Sequence, residues 1–132
     1  MTHLLDTSAF LAYYFGEPGM DRVRTLLANP EFSVGLCVVS ATEFWGSLKA
    51  ENQESAFENE WAACRELFVL VDVDEPAALK AAELRNAASA RLPTVDSLIA
   101  ACAANSQSVL VHRDPHFEAI PANLLKQEVL EV

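Results

Sequence analysis

Four acidic residues lie at points where an apolar, strand-like segment gives way to a loop or a helix. They are Asp6, Glu43, Asp96 and Asp114. Loops at the carboxyl ends of parallel strands converge on one crevice of an open sheet, so these side chains are expected to lie close together. Carboxylates that share a crevice repel each other unless a positive charge lies between them. A hard divalent cation, which prefers oxygen ligands, is the simplest such charge.

Each acid also has an ordinary structural interpretation. Asp6 can cap the following helix, and Asp114 can initiate a turn. Glu43 is the fourth residue of Ser-Ala-Thr-Glu, a capping-box pattern in which Glu binds a backbone donor. Asp96 lies two residues after Thr94, a plausible N-cap, where the helix dipole favours an acid. The common placement of the four at strand ends nevertheless favours a shared site.

A hydroxyl and three basic side chains lie near these acids in the sequence. Ser8 is placed either to hydrogen-bond a site carboxylate or to begin a helix. Lys49, Arg91 and Arg113 lie near the predicted site-bearing loops and are candidates for holding phosphates. A solvated surface position is the more ordinary interpretation for each of the three.

Histidines offer an alternative metal chemistry. His3, His112 and His116 would suit a softer ion such as Zn²⁺. His112 and His116 are four residues apart, but the intervening Asp114-Pro115 argues against one continuous helix that carries both. A histidine-based zinc centre is therefore the minor alternative.

Hydrophobic patterning predicts strands that alternate with helices. The predicted strands cover residues 3–5, 32–39, 68–73, 108–112 and 127–132. The predicted helices cover residues 8–14, 20–28, 40–48, 54–67, 75–91 and 95–105, with a helical turn at 117–120. This alternation indicates an α/β fold with a mostly parallel sheet, and the length suits one domain over residues 1–132.

Apolar side chains at helical spacing predict which helix faces are buried. In the helix over 54–67 the expected buried residues are Phe57, Trp61, Cys64 and Leu67. Together with Phe44 and Trp45, the aromatic members of this group are expected to form core or a subunit interface rather than a platform for stacking bases.

The charge balance limits the function. Nine basic residues against nineteen acidic ones give a net charge of −10. This argues against a module that simply coats nucleic acid, because phosphate binding normally rests on Lys and Arg. It is compatible with a nuclease whose bound metal neutralises the site acids. A basic protein partner would also fit such a surface.

The cysteines and the hydropathy indicate the compartment. Cys37, Cys64 and Cys102 are widely spaced in apolar stretches and are expected to be core residues, as in a reducing cytoplasm. The sequence shows no signal-peptide pattern and no apolar stretch as long as a membrane span. A cytoplasmic protein is expected.

At the acidic positions the chain resembles PIN-domain proteins, specifically the VapC group of toxin ribonucleases. The matching segments are Leu4-Leu5-Asp6-Thr7-Ser8, Val39-Ser40-Ala41-Thr42-Glu43, Val95-Asp96-Ser97-Leu98-Ile99-Ala100-Ala101 and Arg113-Asp114-Pro115-His116-Phe117. Any one of these segments is weak, but their order and spacing span almost the whole chain.

The resemblance implies a three-layer α/β/α domain and Mg²⁺- or Mn²⁺-dependent cleavage of RNA. Asp6, Glu43, Asp96 and Asp114 match the acidic quartet of the family, and Ser8 matches a polar position that supports it. The resemblance also implies a homodimer and inhibition by a small VapB-type antitoxin. His112 stands where many relatives have Thr, and His116 stands where many have a further acid.

These observations predict an endoribonuclease that works by metal-assisted phosphodiester hydrolysis. Two other roles remain open on the resemblance: a housekeeping RNA-processing nuclease, and an inert interaction module with a degenerate acidic pocket. Phosphatase chemistry of the haloacid-dehalogenase type, with Asp6 as nucleophile, is a weaker alternative. That chemistry normally needs an acid two residues later, where this chain has Ser8.

Overall fold

The computed structural model describes residues 1–131. Its strands are β1 (His3–Leu5), β2 (Val34–Cys37), β3 (Val69–Val71), β4 (Val109–His112) and β5 (Gln127–Val129). Its helices are α1 (Thr7–Phe15), α2 (Met20–Ala28), α3 (Ser40–Ala50), α4 (Phe57–Arg65), α5 (Glu75–Ala87) and α6 (Thr94–Asn105). Two short 3₁₀ helices cover Glu54–Ala56 and Pro115–Ala119.

The five strands form one parallel sheet in the order β3-β2-β1-β4-β5. Every paired strand is parallel, with His3 aligned to Val34 on one side and to Val109 on the other. β1 is the central strand and is fully buried, as expected for a strand that is covered on both faces. Because β1, β2 and β4 run in the same direction, their carboxyl ends meet at one edge of the sheet.

Alternating side chains of the sheet enter two separate cores. Leu4 packs with α5 and α6 residues on one face, whereas Leu5 packs with residues of α1 to α4 on the other. The face of helix α6 that is buried in this core carries the small residues Ala100, Ala101 and Ala103. The predicted three-layer α/β/α architecture is confirmed.

Several predicted boundaries differ from the structure. β2 is shorter than expected because its pairing to β1 begins only at Val34. Helix α4 ends at Arg65, so the predicted burial of Leu67 is wrong and that side chain is 51% exposed. Helix α5 ends at Ala87 rather than at 91. The predicted fifth strand ran to residue 132, which lies outside the described residues.

The cysteine prediction is confirmed. Cys37, Cys64 and Cys102 are buried and free, and the Sγ atoms of Cys37 and Cys102 lie 4.0 Å apart. None of the helices within residues 1–131 has the length and hydropathy of a membrane-spanning segment.

Candidate metal centre

Asp6 lies directly after β1 and caps helix α1. Its Oδ1 accepts hydrogen bonds from the Ala9 backbone N–H (2.8 Å) and the Ser8 hydroxyl (2.7 Å). The side chain is buried, and burial raises the pKa of the Asp6 carboxyl to about 7, although these hydrogen bonds act in the opposite direction. The charge of Asp114 raises this pKa further. The helix-cap role suggested by its sequence position is therefore present, and the carboxylate also lies close enough to Asp114 to interact with it electrostatically.

Ser8 links Asp6 to the segment that follows strand β4. Its hydroxyl donates to Asp6 and accepts a hydrogen bond from the Arg113 backbone N–H at 3.0 Å. Arg113 follows β4, so one hydroxyl connects the loops after two neighbouring strands. This contact restrains the direction in which the Asp6 carboxylate points.

Glu43 lies in the first turn of α3, and its predicted capping-box role is wrong. The N-cap of α3 is Val39, which makes no side-chain cap, and Ser40 is already the first helical residue. The Glu43 Oε1 instead accepts a hydrogen bond from the Thr7 hydroxyl at 2.5 Å. The Thr7 hydroxyl also lies 2.9 Å from the buried Ser40 hydroxyl. The bonding partner of Glu43 is thus a side chain of α1, directly beside Asp6.

Asp96 lies in the first turn of α6. The predicted cap at Thr94 is wrong, because Pro93 is the N-cap and Thr94 is the first helical residue. Burial, followed by the charges of Asp114 and Glu43, raises the pKa of the Asp96 carboxyl. His116 acts in the opposite direction, through a contact between its Nδ1 and Asp96 Oδ2 at 3.1 Å.

Asp114 follows β4 and caps the 3₁₀ helix Pro115–Ala119. Its Oδ1 accepts from the His116 backbone N–H at 2.9 Å and lies 3.0 Å from His116 Nδ1. The turn-initiating role suggested by the sequence is therefore present. The same carboxylate is close enough to Asp6 and Asp96 to raise the pKa of both.

All four predicted acids line one cleft of about 470 Å³. The other lining residues are Thr7, Ser8, Leu11, Gly46, Ser47 and Ala50. A larger pocket of about 590 Å³ lies at α5, around Asp72, Asp74 and Cys102, and contains none of the four acids. By size alone the larger pocket would be chosen as the candidate functional site. The acids of the smaller cleft raise the pKa values of Asp6 and Asp96, and this effect indicates the smaller cleft instead.

The three histidines do not come together. His112 is fully buried: its Nε2 is 2.8 Å from Gln127 Oε1, and its Nδ1 accepts from the Asp114 backbone N–H. Burial lowers the pKa of the His112 imidazole. His3 contacts Thr2 near the start of the chain. Of the three, His116 is the histidine beside the acids, so the structure gives no support to a zinc centre built from several histidines in the described part of the chain.

The three basic residues that the sequence suggested for holding phosphates differ in their position relative to the acidic cleft. Arg113 forms an ion pair with Glu17 and lines a neighbouring cleft of about 450 Å³. That cleft shares Leu11, Ser47 and Ala50 with the acidic one. Lys49 lies over the ring of Trp45, with its Nζ 5.6 Å from the ring centroid. Arg91 is exposed and does not line the acidic cleft.

Sequence reasoning missed Thr7 and Ser40. Both hydroxyls are buried at the start of a helix, where Ser and Thr are common for purely local reasons. Their contact joins α1 to α3 across 33 residues of sequence. The periodicity of hydrophobic residues does not predict such a contact. The available signal was the position of Thr7 immediately after Asp6.

The donor set of the cleft fits a divalent cation. Carboxylate oxygens are the ligands that Mg²⁺ and Mn²⁺ prefer. Ligating oxygens and nitrogens of Asp96, Asp114 and His116 lie within 4.8 Å of one another. The acids raise the pKa of their neighbours, so a positive charge in the cleft would remove an existing repulsion.

Comparison with known protein families agrees with this architecture. The family model described as PIN domain matches residues 3–123 of the chain. That match covers most of the sequence, and the chain therefore belongs to the PIN domain family. No curated protein sequence matches the chain.

Solved structures share the fold at low sequence identity. A chain of VapBC2 from Rickettsia felis, bound to a promoter DNA fragment, has a TM-score of 0.80 at 17% identity, with 99% of this chain and 100% of that chain covered. VapBC-1 from nontypeable Haemophilus influenzae gives 0.78 at 15%, covering 98% of each chain. VapC20 from Mycobacterium tuberculosis, a sarcin-ricin loop cleaving toxin, gives 0.69 at 19%, covering 89% and 94%. The fold of this chain is thus one found in VapBC toxin–antitoxin structures.

Proposed function

We propose that this PIN-domain protein is a metal-dependent endoribonuclease that hydrolyses RNA phosphodiester bonds. The observation that carries the proposal is the convergence of Asp6, Glu43, Asp96 and Asp114 on one cleft, where burial and mutual repulsion raise the pKa of two of them. Carboxylates held in this way are costly for the fold, and a cation-binding role accounts for that cost.

The four acids would hold one or two Mg²⁺ or Mn²⁺ ions. Such an ion, when bound, supplies an activated water for in-line attack and neutralises charge on the phosphate and the leaving oxygen. The chain's own residues orient the ligands: Ser8 holds Asp6, and Thr7 holds Glu43. No side chain needs to act as a covalent nucleophile in this reaction.

The RNA backbone is negatively charged and must approach an acidic protein, so a basic side chain near the cleft is needed to bind phosphate. Arg113 borders the cleft that adjoins the acidic one, and its guanidinium is available on that side once it separates from Glu17. We assign Arg113 the role of positioning a phosphate next to the scissile one. A loss of RNA affinity in Arg113→Ala, with metal binding unchanged, is the expected result.

We also propose a cellular role and binding partners for this protein. Several structural relatives are VapBC complexes, so we propose that this chain is the toxin of such a pair and binds a VapB-type antitoxin as well as a second copy of itself. The acidic cleft would attract a basic antitoxin segment. Three buried free cysteines suit the reducing cytoplasm, where we place the protein.

Cleavage mapping on total RNA tests the enzymatic proposal. Purified protein with Mg²⁺ or Mn²⁺ should cut RNA internally, and EDTA or Asp96→Asn should abolish the cuts. Activity that survives both EDTA and Asp6→Asn would refute the metal mechanism. A folded protein that neither cuts RNA nor binds Mn²⁺ would be an inert interaction module. Cleavage without toxicity in cells would indicate a housekeeping nuclease.

Phosphatase chemistry with Asp6 as nucleophile fits the site poorly. Both Asp6 carboxylate oxygens accept hydrogen bonds from Ser8, and Oδ1 also accepts from Ala9. A pKa near 7 leaves much of this carboxyl protonated at neutral pH, which weakens it as a nucleophile. Trapping of an aspartyl-phosphate would be needed to support that reaction.

A further inference from the structure

His116 faces two of the cleft carboxylates through one ring nitrogen. Its Nδ1 lies 3.0 Å from Asp114 Oδ1 and 3.1 Å from Asp96 Oδ2. Its backbone N–H donates to the same Asp114 oxygen at 2.9 Å, which fixes the start of the 3₁₀ helix on which His116 lies. The imidazole side chain is half exposed, so solvent and ions can reach it.

These distances match the spacing of neighbouring ligands around one ion. Two ligands at right angles on an octahedral ion, each about 2.1 Å from it, are themselves about 3 Å apart. The Nδ1 atom has this separation from both carboxylate oxygens, and the three ligand atoms all lie within 4.8 Å of one another. One ion could therefore contact one nitrogen and two oxygens with little movement of the side chains.

We propose that His116 supplies a nitrogen ligand that makes this cleft select a transition-metal ion, Mn²⁺ or Co²⁺, over Mg²⁺. The proposal rests on the metal-dependent function above and specifies the ion. Sites made only of carboxylates and water suit Mg²⁺, whereas an imidazole ligand favours first-row transition-metal ions, weakly for Mn²⁺ and more strongly for Co²⁺. In this cleft the acids Asp96 and Asp114 would hold either kind of ion, and His116 would determine the preference.

The alternative role for His116 is an ion pair. A protonated imidazole between Asp96 and Asp114 would also give contacts near 3 Å. It would offset carboxylate charge without contributing a metal ligand, and its removal would affect binding of Mg²⁺ and Co²⁺ equally. The two roles therefore differ in metal selectivity and in whether the bound ion has a nitrogen neighbour.

The test uses the full-length protein and simple metal chlorides. Calorimetry would give the Kd for Mg²⁺, Mn²⁺ and Co²⁺ with the unmodified protein, with His116→Asp, which restores an all-carboxylate set, and with His116→Gln, which removes the imidazole. Glu118→Gln is the matched control, because Glu118 is exposed on the same 3₁₀ helix and is outside the metal-ligating cluster. Electron spin echo envelope modulation of bound Mn²⁺ would report a directly coordinated nitrogen.

The expected result is a preference for Co²⁺ over Mg²⁺ that falls by at least about tenfold in His116→Asp and His116→Gln but not in Glu118→Gln. The nitrogen modulation should be present in the unmodified protein and absent from both His116 variants. Unchanged selectivity, or no nitrogen signal in the unmodified protein, overturns this inference while metal-dependent RNA cleavage still stands. If the unmodified protein binds none of the ions and cuts no RNA, the proposed function fails, and this inference fails with it.

Discussion

The Thr7 hydroxyl donates a hydrogen bond to Glu43 Oε1 at 2.5 Å, joining the first turn of α1 to the first turn of α3. Thr7 follows Asp6 directly, so this bond connects two of the four cleft acids through one peptide unit. The Ser40 hydroxyl, 2.9 Å from that of Thr7, completes a small polar group beneath the cleft. Glu43 is thereby held by tertiary structure rather than by its own helix.

Thr7→Val should test this contact, because valine keeps the shape of threonine and removes the hydroxyl. The buried Ser40 hydroxyl loses its partner, so we expect the free energy of unfolding to fall by about 1–2 kcal/mol. RNA cleavage should fall by roughly tenfold, because Glu43 is no longer restrained. Urea unfolding and cleavage rates measure the two effects.

Thr25→Val is the matched control for that experiment. The Thr25 hydroxyl donates to the Asp21 carbonyl within α2, at an exposed position that does not line the cleft. Its loss should change stability by no more than about 0.5 kcal/mol and leave cleavage unaltered. Equal loss of cleavage in both variants would contradict the proposal that the Thr7 hydroxyl supports cleavage by restraining Glu43.

Asp6 should make the stability of the metal-free protein depend on pH. Its folded-state pKa of about 7 is raised from an ordinary value of 3.8, so the folded state holds this proton more tightly than the unfolded state. The resulting stability is fully present below pH 3.8 and is lost as the pH rises through about 7. The amount is on the order of 4 kcal/mol, because one pKa unit corresponds to about 1.4 kcal/mol.

Asp6→Asn should therefore unfold at higher urea concentration than the unmodified protein at pH 8 in EDTA, and the difference should shrink toward pH 4. Asparagine can still cap α1, so the hydrogen bond from Ala9 is retained. Asp74→Asn is the control: Asp74 caps α5 in the same way, through the Ala77 N–H, but lies outside the acidic cleft. If Asp6→Asn is no more stable than Asp74→Asn at pH 8, the raised pKa of Asp6 in the folded protein is contradicted.

Ser8→Ala should move the acid side of the pH–cleavage profile. The Ser8 hydroxyl lowers the pKa of Asp6, so its removal raises that pKa further and more of the carboxyl is protonated at a given pH. We expect the acid limb of the cleavage profile to shift to higher pH, with metal affinity about tenfold weaker at pH 7. Ser89→Ala, at an exposed hydroxyl outside the cleft, should leave the profile in place.

The layered fold was predictable because local and tertiary preferences agree. β1 is a wholly buried apolar strand, and α6 is a helix rich in Ala that fits against the sheet, so composition alone indicates both. Helix ends were less predictable. Ser40 and Thr94 look like N-caps, but Val39 and Pro93 occupy those positions and the two hydroxyl residues begin the helices instead.

The positions of the four acids were predictable from strand ends, whereas their partners were not. Asp6 and Asp114 follow the neighbouring parallel strands β1 and β4, and topology brings such residues together. The contact of Thr7 with Glu43, and that of His116 with Asp96, depend on side-chain direction across distant segments. A sequence pattern does not specify that direction, so it does not predict these contacts.

Metal addition should stabilise the protein through the cleft acids. An ion that binds only the folded state adds about 2.7 kcal/mol to the free energy of unfolding at a concentration of 100 times its Kd. We expect Mn²⁺ to raise the melting temperature of the unmodified protein and to have little effect on Asp114→Asn, since Asp114 is the acid that affects both Asp6 and Asp96. Asp74→Asn should keep the full response. A melting temperature that rises equally in Asp114→Asn would mean that the ion binds elsewhere on this acidic surface.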